Sequence, residues 1–263
     1  MNQLALFSDS HDRRLDAVAA AQGRIDALVA DGVPIVVSIS GGKDSQAMLE
    51  VLVARYGASA LFAVQADLGE MEWPDAATHS QGLCDALGVR FDVVKPRRPL
   101  LESIERRGMW PDMRSRYCTS DHKRAPINRL ICAEWSARHR YASHRVILAT
   151  GERWAENSHP LSPTCARERC RCKLEPLYAD KHLDHARRQV WRWHPVVSLS
   201  TPEIFEMIGR SGRPAHPLYA EGLTRFSCSF CVFGRLSDLR LARKERPDLY
   251  QKLVDLEARM GHT

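Results

Sequence analysis

The chain has 263 residues, 44% hydrophobic and 27% charged. That is the balance of a globular protein with a full core, in one domain or in one domain with an appendage. No run of 18 apolar residues occurs, and Met1 to Ser10 has no basic stretch followed by an apolar one, so neither a membrane span nor a secretory leader is expected. The expectation is a cytoplasmic protein with reduced thiols. Its net charge of +6 suits a phosphate-bearing partner.

In chain order, Leu15, Val18, Ala19, Ile25, Leu28 and Val29 recur at helical spacing over 12–30. A strand follows over 34–39, then a helix from 45 to 56. A second strand covers 60–66, and Pro74 opens a helix to Leu87. A third strand runs over 89–94, a helix over 98–107, a loop over 108–120 and a helix over 121–138. The fourth strand is 145–150. Residues 154–190 are polar and read as an extended loop, and a short fifth strand lies within 191–197. Thr201-Pro202-Glu203 starts a helix to Arg210. Residues 213–234 read as irregular, and a basic amphipathic helix over 236–259 breaks at Pro247. Strands alternating with helices predict an α/β fold: a doubly wound, mostly parallel, five-stranded sheet. The expected division is a core over 1–153 and a cysteine-rich C-terminal region over 154–263 packed on it.

The run Ser40-Gly41-Gly42-Lys43-Asp44-Ser45 stands between the first strand and its helix. A strand-to-helix loop of small residues leaves backbone N–H groups at a helix N-terminus, a ready anion site. Gly41 and Gly42 permit close approach of a phosphate. Ser40 and Ser45 add hydroxyls, Lys43 adds positive charge, and Asp44 is a candidate for a metal or a nucleophile. The four-residue spacer of a Walker A loop is missing. Ser38, Asp67, Lys95 and Gly151 fall at or just beyond strand ends, where open α/β sheets bind ligands. Arginines cluster at 106–107, 114–116, 167–171 and 187–192.

This loop resembles the SGGKDS loop of the N-type ATP pyrophosphatases, which transfer AMP to a substrate oxygen and release pyrophosphate. Gly151-Glu152-Arg153-x2-Glu156-Asn157-Ser158 is similar to a stretch of the phosphoadenosine phosphosulfate reductase superfamily. So is the block His194-Pro195-Val196 and His216-Pro217-Leu218-Tyr219-x2-Gly222-x2-Arg225-x2-Cys228-x2-Cys231. The likeness covers roughly 30–235. It implies an ATP site built from Ser38, Ser40, Gly41, Gly42, Lys43, Asp44, Ser45, Asp67, Gly151 and Arg153, with Mg²⁺ bridging the phosphates. Lys43 and Asp44 would act in catalysis.

There are eight cysteines. Cys84 and Cys132 sit among apolar helical residues and read as buried hydrophobes. Cys165, Cys170 and Cys172 in the polar loop, with the Cys228-x2-Cys231 pair, have the character of metal ligands. Their spacing leaves zinc and an iron–sulfur cluster open; the resemblance favours [4Fe–4S]. Cys118 stands in an arginine-rich loop, where positive charge favours the thiolate. It is a candidate nucleophile or sulfur carrier, with ligation of the cluster as the competing role. Arg114, Arg116, Lys123 and Arg124 are candidates for phosphate or nucleic-acid contacts.

The pattern Arg116-x-Cys118-Thr119-x3-Lys123 resembles the DNA phosphorothioation branch of the superfamily, the DndC/SspD type. There, a backbone phosphate oxygen is adenylated and replaced by sulfur. The implied partners are a cysteine desulfurase and DNA, with RNA second and no membrane; a homodimer is left open. The alternatives are a sulfonucleotide reductase, a tRNA thiolase and a nucleotide-binding scaffold that transfers sulfur. No cysteine follows Cys231, whereas the reductases carry a nucleophilic cysteine in their C-terminal tail.

Overall fold

A computed structural model describes residues 3–112, 114–137, 145–156, 174–181, 183–184 and 188–261. Six strands form one sheet: β1 Ile35–Ser38, β2 Leu61–Ala66, β3 Arg90–Val94, β4 Arg145–Thr150, β5 Leu177–Ala179 and β6 Gln189–Trp193. Their spatial order is β3-β2-β1-β4-β6-β5. Every pairing is parallel except β5 with β6. The helices are α1 Gln3–Ala30, α2 Lys43–Tyr56, α3 Ala76–Leu87, α4 Leu100–Arg107, α5 Tyr117–Thr119, α6 Ala125–Ala137, α7 Thr201–Ser211, α8 Leu236–Glu245 and α9 Pro247–Met260.

Alternation along the strands divides the core between the two sheet faces. Ile35 and Val37 of β1 face Ile25 of α1, Leu49 and Leu52 of α2, Leu83 of α3 and Ile204 of α7. Val36 points the other way, to Ile127 and Ile131 of α6. Both faces of β1 are therefore buried, and its run of branched apolar residues suits a central parallel strand. The C-terminal helices cover one end of this body. Leu249, Leu253 and Leu256 of α9 pack on Leu100 and Ile104 of α4. Ala242 of α8 joins Trp73, Leu218 and Phe226.

The sheet has six strands, not five. The extra edge strand, β5, is only three residues long and lies in the polar segment read as loop. It pairs antiparallel with Trp191–Trp193, so its partner supplies the order that its own sequence does not signal. A second difference concerns 108–120. Helix begins at Tyr117 and runs through a π-turn, Ser120–Arg124, into α6. Cys118 thus sits on a helical turn. Cys165, Cys170, Cys172, Asn157 and Ser158 lie outside the described residues. Among the described residues no helix is long and apolar enough to cross a membrane.

Candidate functional site

The chain reverses its direction of strand addition at β1. β2 and β3 extend the sheet one way, while β4 and β6 extend it the other. Between the carboxyl ends of β1 and β4 such a reversal leaves a crevice. A cleft of about 240 Å³ opens there, lined by Ser38, Ser40, Gly42, Asp44 and Ser45 on one side and by Thr150, Gly151 and Glu152 on another. Thr119, Lys123, Arg124 and Asn128 of the α5–α6 segment close it, with Arg225 and Phe226.

The loop is built to hold its own shape. Gly41 has φ +75°, a conformation suited to glycine. The Ser40 N–H donates to Ser45 Oγ at 3.2 Å, and Ser45 Oγ donates to the Gly42 carbonyl at 2.9 Å. α2 starts at Lys43 behind Gly42, with no side-chain cap on its first turn. Its leading N–H groups have no intrahelical acceptor and form the positive end of the helix dipole. One is taken: the Lys43 N–H donates to the Tyr219 hydroxyl at 3.0 Å. Phe226 packs on the glycines, so a Cβ on Gly42 would stand 3.0 Å from Phe226 Cβ.

Asp44 is the centre of a charge cluster. Its Oδ1 accepts from Arg153 Nε at 2.6 Å and its Oδ2 from Lys43 Nζ at 3.0 Å. Lys43 and Arg153 are almost fully buried, at 4% and 2% exposure. Arg153 also donates to the Leu199 carbonyl and the Thr201 hydroxyl. It stands behind Asp44 and ties the loop to the start of α7, outside the cleft wall. With a cation on each oxygen, Asp44 has no carboxylate oxygen free of a cation for Mg²⁺. The donor set of N–H groups, hydroxyls and Lys43 fits nucleotide phosphates, and the lining carboxylates other than Asp44, the kind of oxygen that Mg²⁺ takes, are Glu152 and Glu156.

Asp67 is placed elsewhere. Its carboxylate accepts from the Gly69 N–H at 2.7 Å and lies 3.6 Å from Lys95 Nζ, shaping the turn after β2. Arg114 and Arg116 lie away from the cleft lining, and the Arg116 guanidinium lies 4.6 Å from the Phe233 ring centroid. Of the four candidate phosphate contacts, Lys123 and Arg124 line the cleft.

A second cavity, about 620 Å³ and mostly apolar, lies on the other side of the Cys118 turn. Cys118, Cys228 and Cys231 all line it, with Met71, Trp110 and Phe230. Burial pushes the Cys118 thiol above its usual value, outweighing Lys123 and Arg116. The expected thiolate preference is therefore reversed, because chain neighbours show charge but not desolvation. The Cys228–Cys231 hydrogen bond raises Cys228 and lowers Cys231, so this pair shares one negative charge readily. Lys123 bridges the two spaces: its Nζ lies 3.9 Å from Glu72 Oε1. Burial works against the Lys123 charge, but Glu72 and the three thiols hold its pKa above the ordinary value. Burial raises the Glu72 carboxyl in turn. Among the described residues no group of three His, Cys, Asp or Glu side chains is placed to hold a metal. Cys228 and Cys231 fit two ligand positions of a larger set. Cys84 is buried, and its thiol is pushed up to about 12 by that burial.

Sequence reasoning assigned no site role to Tyr219, Phe226, Arg225, Asn128 or Glu72. Tyr219 and Arg225 lie in the block that carries the resemblance, which was the available signal. Nothing local marks Glu72 or Asn128.

The family model of the phosphoadenosine phosphosulfate reductase domain matches residues 34–233. The chain belongs to this family. The match runs from the start of β1 past the Cys228–Cys231 pair, so the cleft and the two cysteines lie within the reductase-family domain. A curated relative is an uncharacterized 37.8 kDa protein in the gpa 5′ region of Escherichia phage 186, 23% identical over 192 residues. These residues are 71% of this chain and 52% of the relative, so the chain spans about half of that protein's length. Among solved structures, the phosphoadenylyl-sulfate reductase of Candida auris in its phosphate complex superposes with a TM-score of 0.52 at 12% identity. The superposition covers 79% of this chain and 87% of that one, and it shows the shared fold. This is a nucleotide-binding domain of the reductase family, with a PP-loop-like cleft.

Proposed function

We propose that the protein is an ATP pyrophosphatase that adenylates a backbone phosphate of DNA for replacement of oxygen by sulfur. The observation that carries this reading is the shared wall. The turn that closes the SGGKDS cleft with Thr119, Lys123 and Arg124 carries Cys118 on its other side, facing Cys228 and Cys231.

In this reading the first turn of α2, with Ser40 and Ser45, binds the ATP phosphates. A phosphate oxygen of the nucleic acid attacks the α-phosphorus, the bond from the α-phosphorus to the bridging oxygen breaks, and pyrophosphate leaves. Lys43, held by Asp44, offsets the charge developing on that leaving group. Arg153 positions Asp44 and so positions Lys43. Lys123, Arg124 and Arg225 hold the acceptor phosphate in the cleft. A cysteine desulfurase then loads sulfur on Cys118 as a persulfide. The outer sulfur attacks the adenylated phosphorus and AMP leaves. A second thiol attacking the Cys118 sulfur breaks the S–S bond, releasing the phosphorothioate and leaving a disulfide on Cys118 that a cellular thiol reductant reduces. Cys228 and Cys231, with cysteines of the 165–172 segment, would hold a [4Fe–4S] cluster, or zinc in its place. When bound, a cluster supplies redox-active iron and sulfur beside Cys118, whereas zinc supplies structure only.

The test is pyrophosphate release from ATP and Mg²⁺, with and without duplex DNA, in the wild type and in Lys43→Ala. Wild-type release that falls about 100-fold in Lys43→Ala, the scale of losing one charge-stabilising donor, supports the reading. Equal turnover by the variant would remove Lys43 from the site. Reduction of a sulfonucleotide without pyrophosphate release would replace the reading with the reductase one.

A further inference from the structure

A third space lies on the remaining flank of the same segment. It is a pocket of about 410 Å³ between the turn after β3, helix α4 and the π-turn. Arg97, Arg98, Arg106, Arg107 and Arg129 line it, against one lining carboxylate, Asp121. Asp121 pairs with Arg107 at 2.7 Å, and Arg98 lies 3.4 Å from Glu102 outside the lining. Arg97 and Arg106 are exposed and have no carboxylate partner among the described residues. At the inner wall stands His122, only 3% exposed, whose buried Nδ1 has no hydrogen-bond partner in the structure.

Five guanidinium groups around one carboxylate repel one another. Gathering them around one pocket makes sense when an anion with several acceptor oxygens enters between them. Phosphate is an anion whose geometry planar arginine donors match. The pocket also shares its wall with the cleft. Along one helical segment Thr119, Lys123, Arg124 and Asn128 face the cleft, while Asp121, His122, Ala125 and Arg129 face the arginine pocket. The two spaces are thus about one helix diameter apart, roughly 10–12 Å. A nucleic-acid strand crossing that segment therefore brings a nearby phosphate of the same backbone over the pocket.

We propose that the arginine pocket binds a second backbone phosphodiester of the nucleic acid, near the phosphate held in the cleft on the same strand. The inference rests on the nucleic-acid reading above and adds a second anchoring point to it. The pocket grips without reading sequence, because its groups match phosphate and not base edges.

The experiment is fluorescence anisotropy of a labelled 20-base-pair duplex with the full-length protein, across a salt series, without ATP. The comparison is between the wild type and Arg97→Ala/Arg106→Ala. A control, Arg210→Ala/Arg259→Ala, removes equal charge from α7 and α9. The pocket variant is expected to bind at least 10-fold more weakly at low salt, equally for unrelated sequences. Its plot of log affinity against log salt should be shallower by about 0.9, the contribution of one neutralised phosphate. The control keeps the wild-type slope. An unchanged slope in the pocket variant overturns the proposal. So does a calorimetric titration in which the pocket variant loses inorganic phosphate binding while duplex affinity stays at wild type, which would make the pocket a small-anion site. Neither result touches pyrophosphate release, so the proposed activity stands or falls separately.

Discussion

Gly151→Ala adds one methyl group and should act on both stability and ligand binding. A Cβ at this position would stand 3.0 Å from the Asp44 carbonyl carbon, 3.1 Å from its oxygen and 3.1 Å from the Ser45 nitrogen. Favourable contacts lie at about 3.5–4.0 Å, so roughly 0.5 Å must be found. β4 has little freedom to give it, being paired on both sides by β1 and β6. The first turn of α2 must move instead, and it carries the N–H donors of the anion site. Overpacking of this kind costs about 1–3 kcal/mol. Urea unfolding should show that loss as a lower midpoint with an unchanged m-value. ATP affinity, measured by calorimetry, should fall on the order of 10-fold as the donors shift. Gly82→Ala is the matched control: it lies in α3, where a Cβ would meet nothing within 4 Å. There the same substitution should stabilise by about 0.5–1 kcal/mol through chain entropy. If Gly151→Ala matched Gly82→Ala in sign and kept wild-type ATP affinity, the close approach of β4 to α2 would be wrong.

Three further outcomes are expected. Tyr219→Phe keeps the ring but strands the Lys43 N–H, costing about 1–3 kcal/mol in thermal or urea unfolding; saturating ATP should narrow the gap to wild type if phosphate takes up that donor. Cys118→Ser should retain pyrophosphate release but abolish phosphorothioation in cells, read by mass spectrometry of nuclease-digested DNA; a parallel loss of iron would make Cys118 a ligand. Burial lowers the pKa of His79 and His216 below the ordinary 6.5, so the unfolded chain binds more protons near and below pH 6.5. Their contribution to stability is full above 6.5 and falls as pH drops through that value. Urea midpoints at pH 7.5 and 5.5 should show this decline, and His216→Gln should flatten it; Glu72, raised by burial, acts in the opposite sense in both proteins.

The loop from Ser38 to Ser45 was legible because strand, glycines and helix start are contiguous, and contiguous residues fold into one local device. Tyr219 was not legible as part of it, because the bond to Lys43 joins residues 176 apart in the chain. Arg153 was legible as belonging at a strand end near the cleft. Its burial behind Asp44 was not, since a motif names a residue without saying which way its side chain turns. The thiolate expectation for Cys118 erred for a related reason. Arg116 and Lys123 are visible in the chain as charges, whereas the apolar walls that desolvate the thiol come from α4, α9 and the Cys228–Val232 loop. β5 escaped because three half-buried residues carry too little alternation to register.

One short helical segment, with a π-turn at Ser120–Arg124, serves three spaces. Such a turn widens the helix locally, and single π-turns recur at functional sites. An unbroken α-helix repeats a face every three or four residues. Here Thr119 and Lys123–Arg124 fall on the cleft, Asp121–His122 on the arginine pocket, and Cys118 on the cysteine cavity. Under the proposed reading, activation of the phosphate, grip on the strand and delivery of sulfur therefore share one rigid wall. Lys123 is where they meet, because it lines the cleft and shares the field of Glu72, Cys118, Cys228 and Cys231. Of the three thiols, Cys231 alone has a lowered pKa, so it is the one that supplies negative charge toward Lys123. Under the proposed reading, a change of charge at Cys231 would be felt at the acceptor phosphate through one ammonium group, with no movement of the backbone.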